Sequence, residues 1–321
     1  MVVSPDFLRD STEMAPDQLS DVLDLIEVDN VVSGGFAVSG RWRSRYEFTK
    51  RLKLIAVVRG QARLTADGLD GAIELGTGDV AILNDRRWEA LEGGAGDNPP
   101  REFVVRETDP YRRIDGADWA TSDVVVGGNV DVNPAGNALL GTALPPVGHV
   151  RASAPQAQRL RDILNVLLDE VTASRAGATF ALRHLGQLML LEALRAYVAQ
   201  ATSLSPGWLR LTTDHQLRAA LDLMHAQPGR HWRLDELAHA AAMSRTTFAE
   251  RFRTVAGVTP LAYLTSWRML LAQRSLRETD VRIGPLAFEL GYTSESAFSN
   301  AFKREVGMSP LHYRTQARQP G

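Results

Sequence analysis

The sequence predicts an α+β protein with a β-barrel in its N-terminal part, two amphipathic helices after the barrel, and an all-α domain at its C-terminal end. Three observations support this fold class. Short apolar runs separated by turn residues fill positions 30–133, helical periodicity follows at 154–200, and an internal repeat occupies the positions after 208. We expect domains at residues 20–150, 151–200 and 208–316, with a linker at 201–207.

A short helix is expected before the barrel, because Leu19, Val22, Leu23 and Ile26 fall at helical spacing. The polar residues before it are expected to form a loose arm. Six apolar runs then predict strands, which begin near Gly35, Leu52, Gln61, Asp79, Arg101 and Asp123. Glycine-containing turn signals separate these runs, and many short strands at regular spacing predict a sandwich or barrel.

Two amphipathic helices are predicted at residues 156–174 and 179–200. The apolar positions of the first one recur at helical spacing, as Leu160, Ile163, Leu164, Leu167, Leu168 and Val171. Gly177 interrupts the pattern, and a second leucine-rich helix follows it. Each helix has a broad apolar face, so one side can cover the barrel while another remains for a partner.

Composition excludes several classes of protein. The chain has no cysteine, which removes disulfides and cysteine nucleophiles and is typical of a reducing, cytoplasmic location. There is no run of about 18 apolar residues and no secretory leader pattern at the N-terminus, so we predict no membrane span. No histidine precedes His149, and there is no glycine-rich phosphate loop and no Gly-x-Ser-x-Gly motif. We therefore predict no metal, no cofactor, no catalytic residues and no enzymatic activity.

Charge divides the chain into an acidic and a basic part. Residues 208–321 carry 15 Lys and Arg against 10 Asp and Glu, whereas residues 1–207 carry 21 against 28, which together give the net charge of −2. A basic module suggests a polyanionic partner, although a balance of +5 is also common on ordinary solvated surfaces.

The most specific signal is the repeat. Residues 244–263 realign with residues 294–313 at an offset of 50, and seven of the 20 aligned positions are identical. A short helix precedes each copy, with the small residues Ala238 and Ala287 inside it. A turn follows, and Ser244 or Ser294 then stands where a helix N-cap is needed.

Each copy therefore has the order of a helix-turn-helix motif. Phenylalanines at 248, 252, 298 and 302 would dock the second helix of each motif, and Gly257 and Gly307 would end it. The opposite face of each second helix is polar, as expected for a helix that reads bases in the major groove. The predicted base-reading residues are Arg245, Thr246, Ala249, Glu250, Glu295, Ser296, Ser299 and Asn300.

Backbone phosphates of the duplex would be held by a second set of residues, namely Ser244, Arg253, Ser294, Lys303 and Arg304. Residues 262–277 contain no helix breaker and predict a connecting helix about 24 Å long at ~1.5 Å per residue. Such a helix could hold the two reading helices roughly one DNA turn, ~34 Å, apart. The alternatives are a plain helical bundle and a non-specific DNA binder. The chain has only three lysines, which disfavours the second.

The region from about 213 to 314 resembles the DNA-binding domain of AraC/XylS-type transcription regulators, most specifically over residues 286–304. The resemblance implies two recognition helices on direct-repeat promoter half-sites of double-stranded DNA. It also implies contacts with RNA polymerase, most often as an activator. Ala249 and Glu250 replace the larger polar or basic residues common in relatives, so the first helix is expected to read DNA more weakly than the second.

The strand-rich region resembles the cupin-like sensor domain attached to many such regulators. Arg59-Gly60 and the stretch at 75–84 carry this resemblance. It implies a small-molecule effector and a homodimer formed through the two amphipathic helices.

An arginine-rich stretch at residues 41–53 is the candidate effector site. Arg41, Arg43 and Arg45 alternate and so should project from one strand face, with Trp42 and Tyr46 on the other. Arginine side chains on one face could bind an anionic effector. The Arg41-x-x-x-Arg45 pair is also similar to that of cyclic dinucleotide receptors. Two alternatives stay open, a charged outer strand paired with nearby acids and an apolar effector inside the barrel.

Overall fold

The computed structural model describes residues 18–318, except positions 24, 27, 29–30, 32–33, 49, 107–110 and 174. Its backbone contacts divide the chain into two units. One is Ile26–Leu211, and the other combines Met1–Leu25 with Thr212–Gly321. Most of the predicted N-terminal arm lies outside the described residues.

Strands dominate the unit Ile26–Leu211. Within its described residues they are β1 (Gly34–Val38), β2 (Trp42–Glu47), β3 (Leu52–Arg59), β4 (Ala62–Ala66), β5 (Ile73–Leu75), β6 (Val80–Asn84), β7 (Trp88–Gly93), β8 (Arg101–Val104), β9 (Arg112–Arg113), β10 (Asp123–Asn129) and β11 (Val147–Val150). The six predicted runs correspond to β1, β3, β4, β6, β8 and β10.

These strands form two sheets that share one core. The first has the order β11-β6-β3-β10-β1-β9 and the second β5-β4-β7-β2-β8. Neighbours are antiparallel except for the β1–β9 and β2–β8 pairs. One apolar cluster takes residues from both sheets, including Phe36, Ile55 and Leu83 from the first and Trp42 and Leu64 from the second. The cluster therefore fills the space between the sheets, as the cupin-like fold class predicts.

Three longer helices complete this unit: α2 (Pro134–Ala143), α3 (Gln158–Ala173) and α4 (Ala178–Gln200). The two amphipathic helices were predicted within two residues of these bounds. Helix α2 was not predicted, because its sequence contains two glycines and begins with proline. Asn133 caps it by accepting a hydrogen bond from the N–H of Gly136 at 2.7 Å.

Helices α3 and α4 pack on each other, and they also contact β3 and β11 respectively. Leu160, Leu164 and Leu167 are buried on the inner face of α3. Val166 of α3 and Leu188 of α4 are 51% and 49% exposed, so apolar side chains also remain on outer faces.

Helices make up the second unit. Its helices within the described residues are α1 (Gln18–Leu23), α6 (Arg218–Ala226), α7 (Leu234–Ala240), α8 (Arg245–Ala256), α9 (Pro260–Glu278), α10 (Ile283–Glu289), α11 (Glu295–Val306) and α12 (Pro310–Ala317). A further short helix, α5 (Trp208–Thr212), falls at the boundary between the units. None of the helices among the described residues is long and apolar enough to cross a membrane.

The unit boundaries differ from the predicted domains at two places. Helix α1 contacts α6, where the Gln18 side-chain amide donates a 3.1 Å hydrogen bond to the Asp222 carboxylate. The helix predicted at the start of the barrel domain therefore belongs to the helical unit. Trp208 lies with the strand-rich unit, since its indole N–H donates to the carbonyl of Leu139 at 2.9 Å.

Candidate nucleic-acid interface

The turn of the first motif joins α7 to α8. Ala242 takes a left-handed conformation with φ of 53°, and the N–H of Met243 donates to the carbonyl of Ala238 at 2.9 Å. Ser244 then caps α8, because its hydroxyl accepts from the N–H of Thr247 at 3.2 Å. The capping role predicted for Ser244 is therefore present, and it determines where the helix begins.

The second motif repeats this turn between α10 and α11. The N–H of Tyr292 donates to the carbonyl of Ala287 at 2.9 Å, and Gly291 has φ of 80°. Ser294 caps α11 by accepting from the N–H of Ala297 at 3.1 Å. The two motifs thus have the same turn hydrogen bond and the same serine cap.

Each second helix is held by a pair of phenylalanines. Phe248 and Phe252 of α8, and Phe298 and Phe302 of α11, are completely buried. In the second motif the pair packs with Tyr313 of α12, whose ring lies edge-on to Phe302 with centroids 5.6 Å apart. Burying a phenylalanine contributes about 1.5–3 kcal/mol relative to leaving it exposed, so the inner faces fix the orientation of both helices.

Helix α9 connects the motifs. It contains 19 residues and packs against both α8 and α11. At ~1.5 Å per residue it is about 28 Å long, slightly longer than the sequence predicted. Thr259 caps it and accepts from the N–H of Ala262 at 3.4 Å.

The polar faces of α8 and α11 are open to solvent. All predicted base-reading and phosphate residues are exposed except Ala249 and Ser299, which are half-buried at equivalent positions. Arg245 lies 3.7 Å from Asp235, an ion pair that partly neutralises its charge. Lys303 and Arg304 lie in the last turn of α11, where the helix dipole favours positively charged side chains. Arg304 also forms an ion pair with Glu305 at 3.2 Å.

Two arginines at equivalent positions of the motifs were not predicted from the sequence. Arg233 and Arg282 each precede the first helix of a motif, at the N-cap of α7 and of α10. Both are exposed. The signal was present as Trp-Arg-Leu at 232–234 and Val-Arg-Ile at 281–283, but it lies outside the 20 positions that align best.

The candidate effector arginines lie in the strand-rich unit. Burial alternates along β2, so Arg43 and Arg45 are exposed while Trp42 and Tyr46 point inward, as predicted. Arg43 bonds to Glu92 at 2.9 Å and to Glu102 at 3.4 Å, and Arg45 lies 5.0 Å above the ring of Trp88.

Arg41 is also exposed, and its contact is with the carbonyl of Asn98 at 3.5 Å. These contacts favour the alternative of a charged outer strand paired with acids.

His149 is half-buried against Asp79, with 3.0 Å between Nε2 and Oδ2. Burial raises the pKa of Asp79, but hydrogen bonds from His149 and from the N–H groups of Ala152 and Gly76 outweigh it and lower the pKa overall. This cluster joins the start of β6 to the end of β11. Among the described residues, no group of three or more His, Cys, Asp or Glu side chains could hold a metal ion.

Comparisons with known proteins agree with this geometry. A family model described as Cupin matches residues 17–199, and one described as Helix-turn-helix domain matches residues 237–316. An AraC-like transcription regulator of Streptomyces lividans is 36% identical over 307 residues, which cover 95% of this chain and all of the relative. The chain belongs to the AraC family of transcription regulators.

Two further proteins are similar to this AraC-family chain. The RCS-specific HTH-type transcriptional activator RclR of Escherichia coli is 30% identical over 268 residues, covering 78% of this chain and 91% of that protein. The DNA-binding domain of the global transcriptional factor AdpA, solved in complex with a target DNA, is 33% identical over 33% of this chain and 95% of that domain, with a TM-score of 0.31.

Proposed function

We propose that this regulator recognises promoter DNA by placing α8 and α11 in two major-groove segments of a direct repeat, about one helical turn apart. The observation that carries the proposal is the duplicated, serine-capped helix with a buried aromatic face and an exposed polar face. Both copies are joined by α9, whose length of about 28 Å is comparable with the ~34 Å turn of DNA.

Residues along each helix have different roles in this proposal. Arg245, Thr246, Ala249 and Glu250 face the bases from α8, as do Glu295, Ser296, Ser299 and Asn300 from α11. Phosphates are held by Ser244, Ser294, Arg253, Lys303 and Arg304. Ala249 offers only an apolar contact, for example to a thymine methyl group, whereas the Asn300 amide can bond to adenine with both of its polar atoms.

Arg233 and Arg282 extend the phosphate contacts. In helix-turn-helix proteins the first helix crosses the DNA backbone. The two arginines stand at the same place in both motifs, at the start of that helix. They therefore supply one additional cation to each half-site.

We further propose that the protein activates transcription, forms a homodimer and senses a small molecule. A role as an activator is supported by the Escherichia coli relative RclR, which is named a transcriptional activator. Contact with RNA polymerase is part of the same proposal. A homodimer is supported by the exposed apolar side chains Val166, Phe180 and Leu188 on α3 and α4. The strand-rich unit serves as the small-molecule sensor, since its cupin-like fold provides an interior.

An anionic effector such as a cyclic dinucleotide at Arg41, Arg43 and Arg45 remains a proposal. It would have to displace the carboxylates of Glu92 and Glu102 from Arg43, and both are themselves anions. Calorimetry with cyclic dinucleotides tests it, and no heat at high micromolar concentration would exclude it.

The central experiment is selection of sheared genomic DNA by the purified full-length protein, followed by sequencing, with and without a metabolite extract. We expect enrichment of a motif with two half-sites about one turn apart. The variant Asn300→Ala should weaken the base preference of the selected motif in one half-site only. Failure to enrich any motif with folded protein in both conditions would overturn the proposal of direct DNA reading.

A further inference from the structure

The helix that follows α8 carries an arginine that binds the loop at the start of the first motif. Arg268 of α9 donates from Nε to the carbonyl of Pro228 at 2.6 Å and from Nη2 to the carbonyl of Arg230 at 2.9 Å. A guanidinium presents its donors in a fixed fork, so two bonds to one loop fix the position of that loop. We call this pair of bonds an arginine clamp.

The second motif has an equivalent clamp. Arg318 lies 50 positions after Arg268, and it donates from Nε to the carbonyl of Arg277 at 3.1 Å and from Nη2 to the carbonyl of Thr279. Both acceptors lie 49 positions after their counterparts in the first motif. The clamp is therefore part of the repeat, although it falls outside the 20 positions that align best.

The two arginines differ in what else they contact. Arg318 is exposed and also forms an ion pair with Asp280 at 2.6 Å, beside the loop that it binds. Arg268 is half-buried, and its guanidinium carbon lies 5.8 Å from the centre of the Tyr292 ring. Tyr292 belongs to the turn of the second motif, so the clamp of the first motif also reaches the second.

Backbone packing joins the motifs at the same place. Gly229 lies between the two residues that Arg268 binds, and a Cβ on it would lie 2.0 Å from the carbonyl oxygen of Glu289. A Cβ at Gly291 would lie 2.2 Å from the carbonyl oxygen of Gly229 and 3.0 Å from Nη2 of Arg268. The first loop of one motif and the turn of the other are therefore in backbone contact, with the guanidinium beside both.

This joint is a second connection between the motifs, in addition to α9. Long helices curve readily, so a single connecting helix fixes the distance between two bodies better than it fixes their angle. Inserting one base pair between two half-sites moves one of them by about 3.4 Å and turns it by roughly 34° around the duplex. Motifs that are held at one angle can therefore accept only one spacing.

We propose that Arg268 is a positioning residue, which holds α8 and α11 at one relative angle and thereby sets the half-site spacing that the protein accepts. The proposal rests on promoter recognition by these two helices and adds the residue that determines the spacing. Arg318 is the matched control, because it forms an equivalent clamp whose contacts named above lie within one motif.

Distances between spin labels test the joint without DNA. The chain has no cysteine, so Thr246→Cys on α8 and Ser296→Cys on α11 provide two labelling sites at equivalent exposed positions. Double electron–electron resonance on the labelled full-length protein, diluted in unlabelled protein, measures the distance within one chain. We expect one narrow distribution, which Arg268→Met should widen about twofold and Arg318→Met should leave unchanged.

Circular dichroism establishes that each variant is folded. If Arg268→Met does not fold, Arg268→Lys takes its place with the same expectation, because lysine keeps the charge but not the fork. A broad distribution in the wild type would overturn the proposal. So would an unchanged distribution in the folded Arg268 variant, or equal widening in Arg318→Met.

Binding to DNA of altered spacing tests the consequence for specificity. Fluorescence anisotropy compares the selected site with the same site carrying one base pair more or one fewer between its half-sites. We expect the wild type and Arg318→Met to lose about tenfold or more in affinity on the altered sites, and Arg268→Met to lose no more than about threefold. An equal spacing penalty in Arg268→Met would overturn the proposal.

The two proposals can fail separately. The spin-label distances need no DNA, so they decide on the joint even if the genomic selection, which tests promoter recognition, enriches no motif.

Discussion

The two helix-turn-helix motifs differ in their exposed outer faces far more than in how they are built. Both have the same turn hydrogen bond, a serine cap and two fully buried phenylalanines. On the outer face, α8 presents Ala249 and an Arg245 that is paired with Asp235, whereas α11 presents Ser299 and Asn300. The two copies therefore share the residues that orient the second helix of each motif, and they differ at the positions proposed to read bases.

The buried aromatic pairs should produce the largest effects, and equal ones. Phe252→Ala and Phe302→Ala should each lower the free energy of unfolding by about 3–5 kcal/mol, because each leaves a cavity in a closed core. Urea unfolding followed by circular dichroism measures both changes. The control is Arg274→Ala at an exposed position, which should change the free energy of unfolding by no more than about 0.5 kcal/mol. A difference above about 2 kcal/mol between the two phenylalanines would show that the motifs are not equivalent mechanically.

Substitutions at the two turns should change the stability of the protein in different directions. A Cβ at Gly291 would lie 2.2 Å from the carbonyl oxygen of Gly229, so Gly291→Ala should destabilise the protein by at least about 2 kcal/mol. Ala242 has φ of 53°, a conformation that costs an L-residue roughly 1–2 kcal/mol. Ala242→Gly should therefore be neutral or stabilise by up to about 1 kcal/mol. Thermal unfolding measures both, and a destabilising Ala242→Gly would contradict the strain argument.

Base reading should be stronger in the second motif. Asn300→Ala should cost about 1–3 kcal/mol on the selected site and relax preference at one or two bases. Glu250→Ala, at the equivalent position of α8, should cost less binding free energy, because a carboxylate close to the DNA phosphates is repelled by them and contributes little to affinity. Fluorescence anisotropy on specific and random duplexes measures both. Equal loss on the two duplexes for Asn300→Ala would remove Asn300 from the base-reading set.

Phosphate contacts should give the smallest and most uniform effects. Lys303→Ala, Arg233→Ala and Arg282→Ala should each weaken binding to all sequences alike and reduce the salt-dependence slope by about one. Titrations at several salt concentrations measure the slope. A sequence-dependent loss for Arg282→Ala would mean that it contacts a base.

Much of the helical unit could be predicted because its signals are local. Serine caps, left-handed glycines and phenylalanines at helical spacing occur within 20 residues of each other, and the repeat shows each of them twice. Strands β5, β7, β9 and β11 were not predicted, since they are short or rich in charged residues and glycine. Their formation depends on neighbours that are distant in the chain, such as β2 and β4 on either side of β7.

The buried pair of Lys53 and Glu89 in the strand-rich unit illustrates the same difference. Lys53 and Glu89 are charged residues that sequence patterns place at a surface, and the alternating arginines of β2 drew the prediction of an effector site to the outer face. Sheet pairing brings β3 and β7 to opposite walls of one core, and this closes a salt bridge across 36 positions of the chain.

By itself, the sequence determined the fold class, the two motifs, their caps and the family to which the chain belongs, because these depend on residue spacing within single elements. Only the tertiary structure decided that α1 packs on α6, that Gly229 and Gly291 meet backbone to backbone, and that Glu89 retains an unpaired buried oxygen. Each of these depends on which distant segments exclude water together, and the order of residues along one element does not encode that.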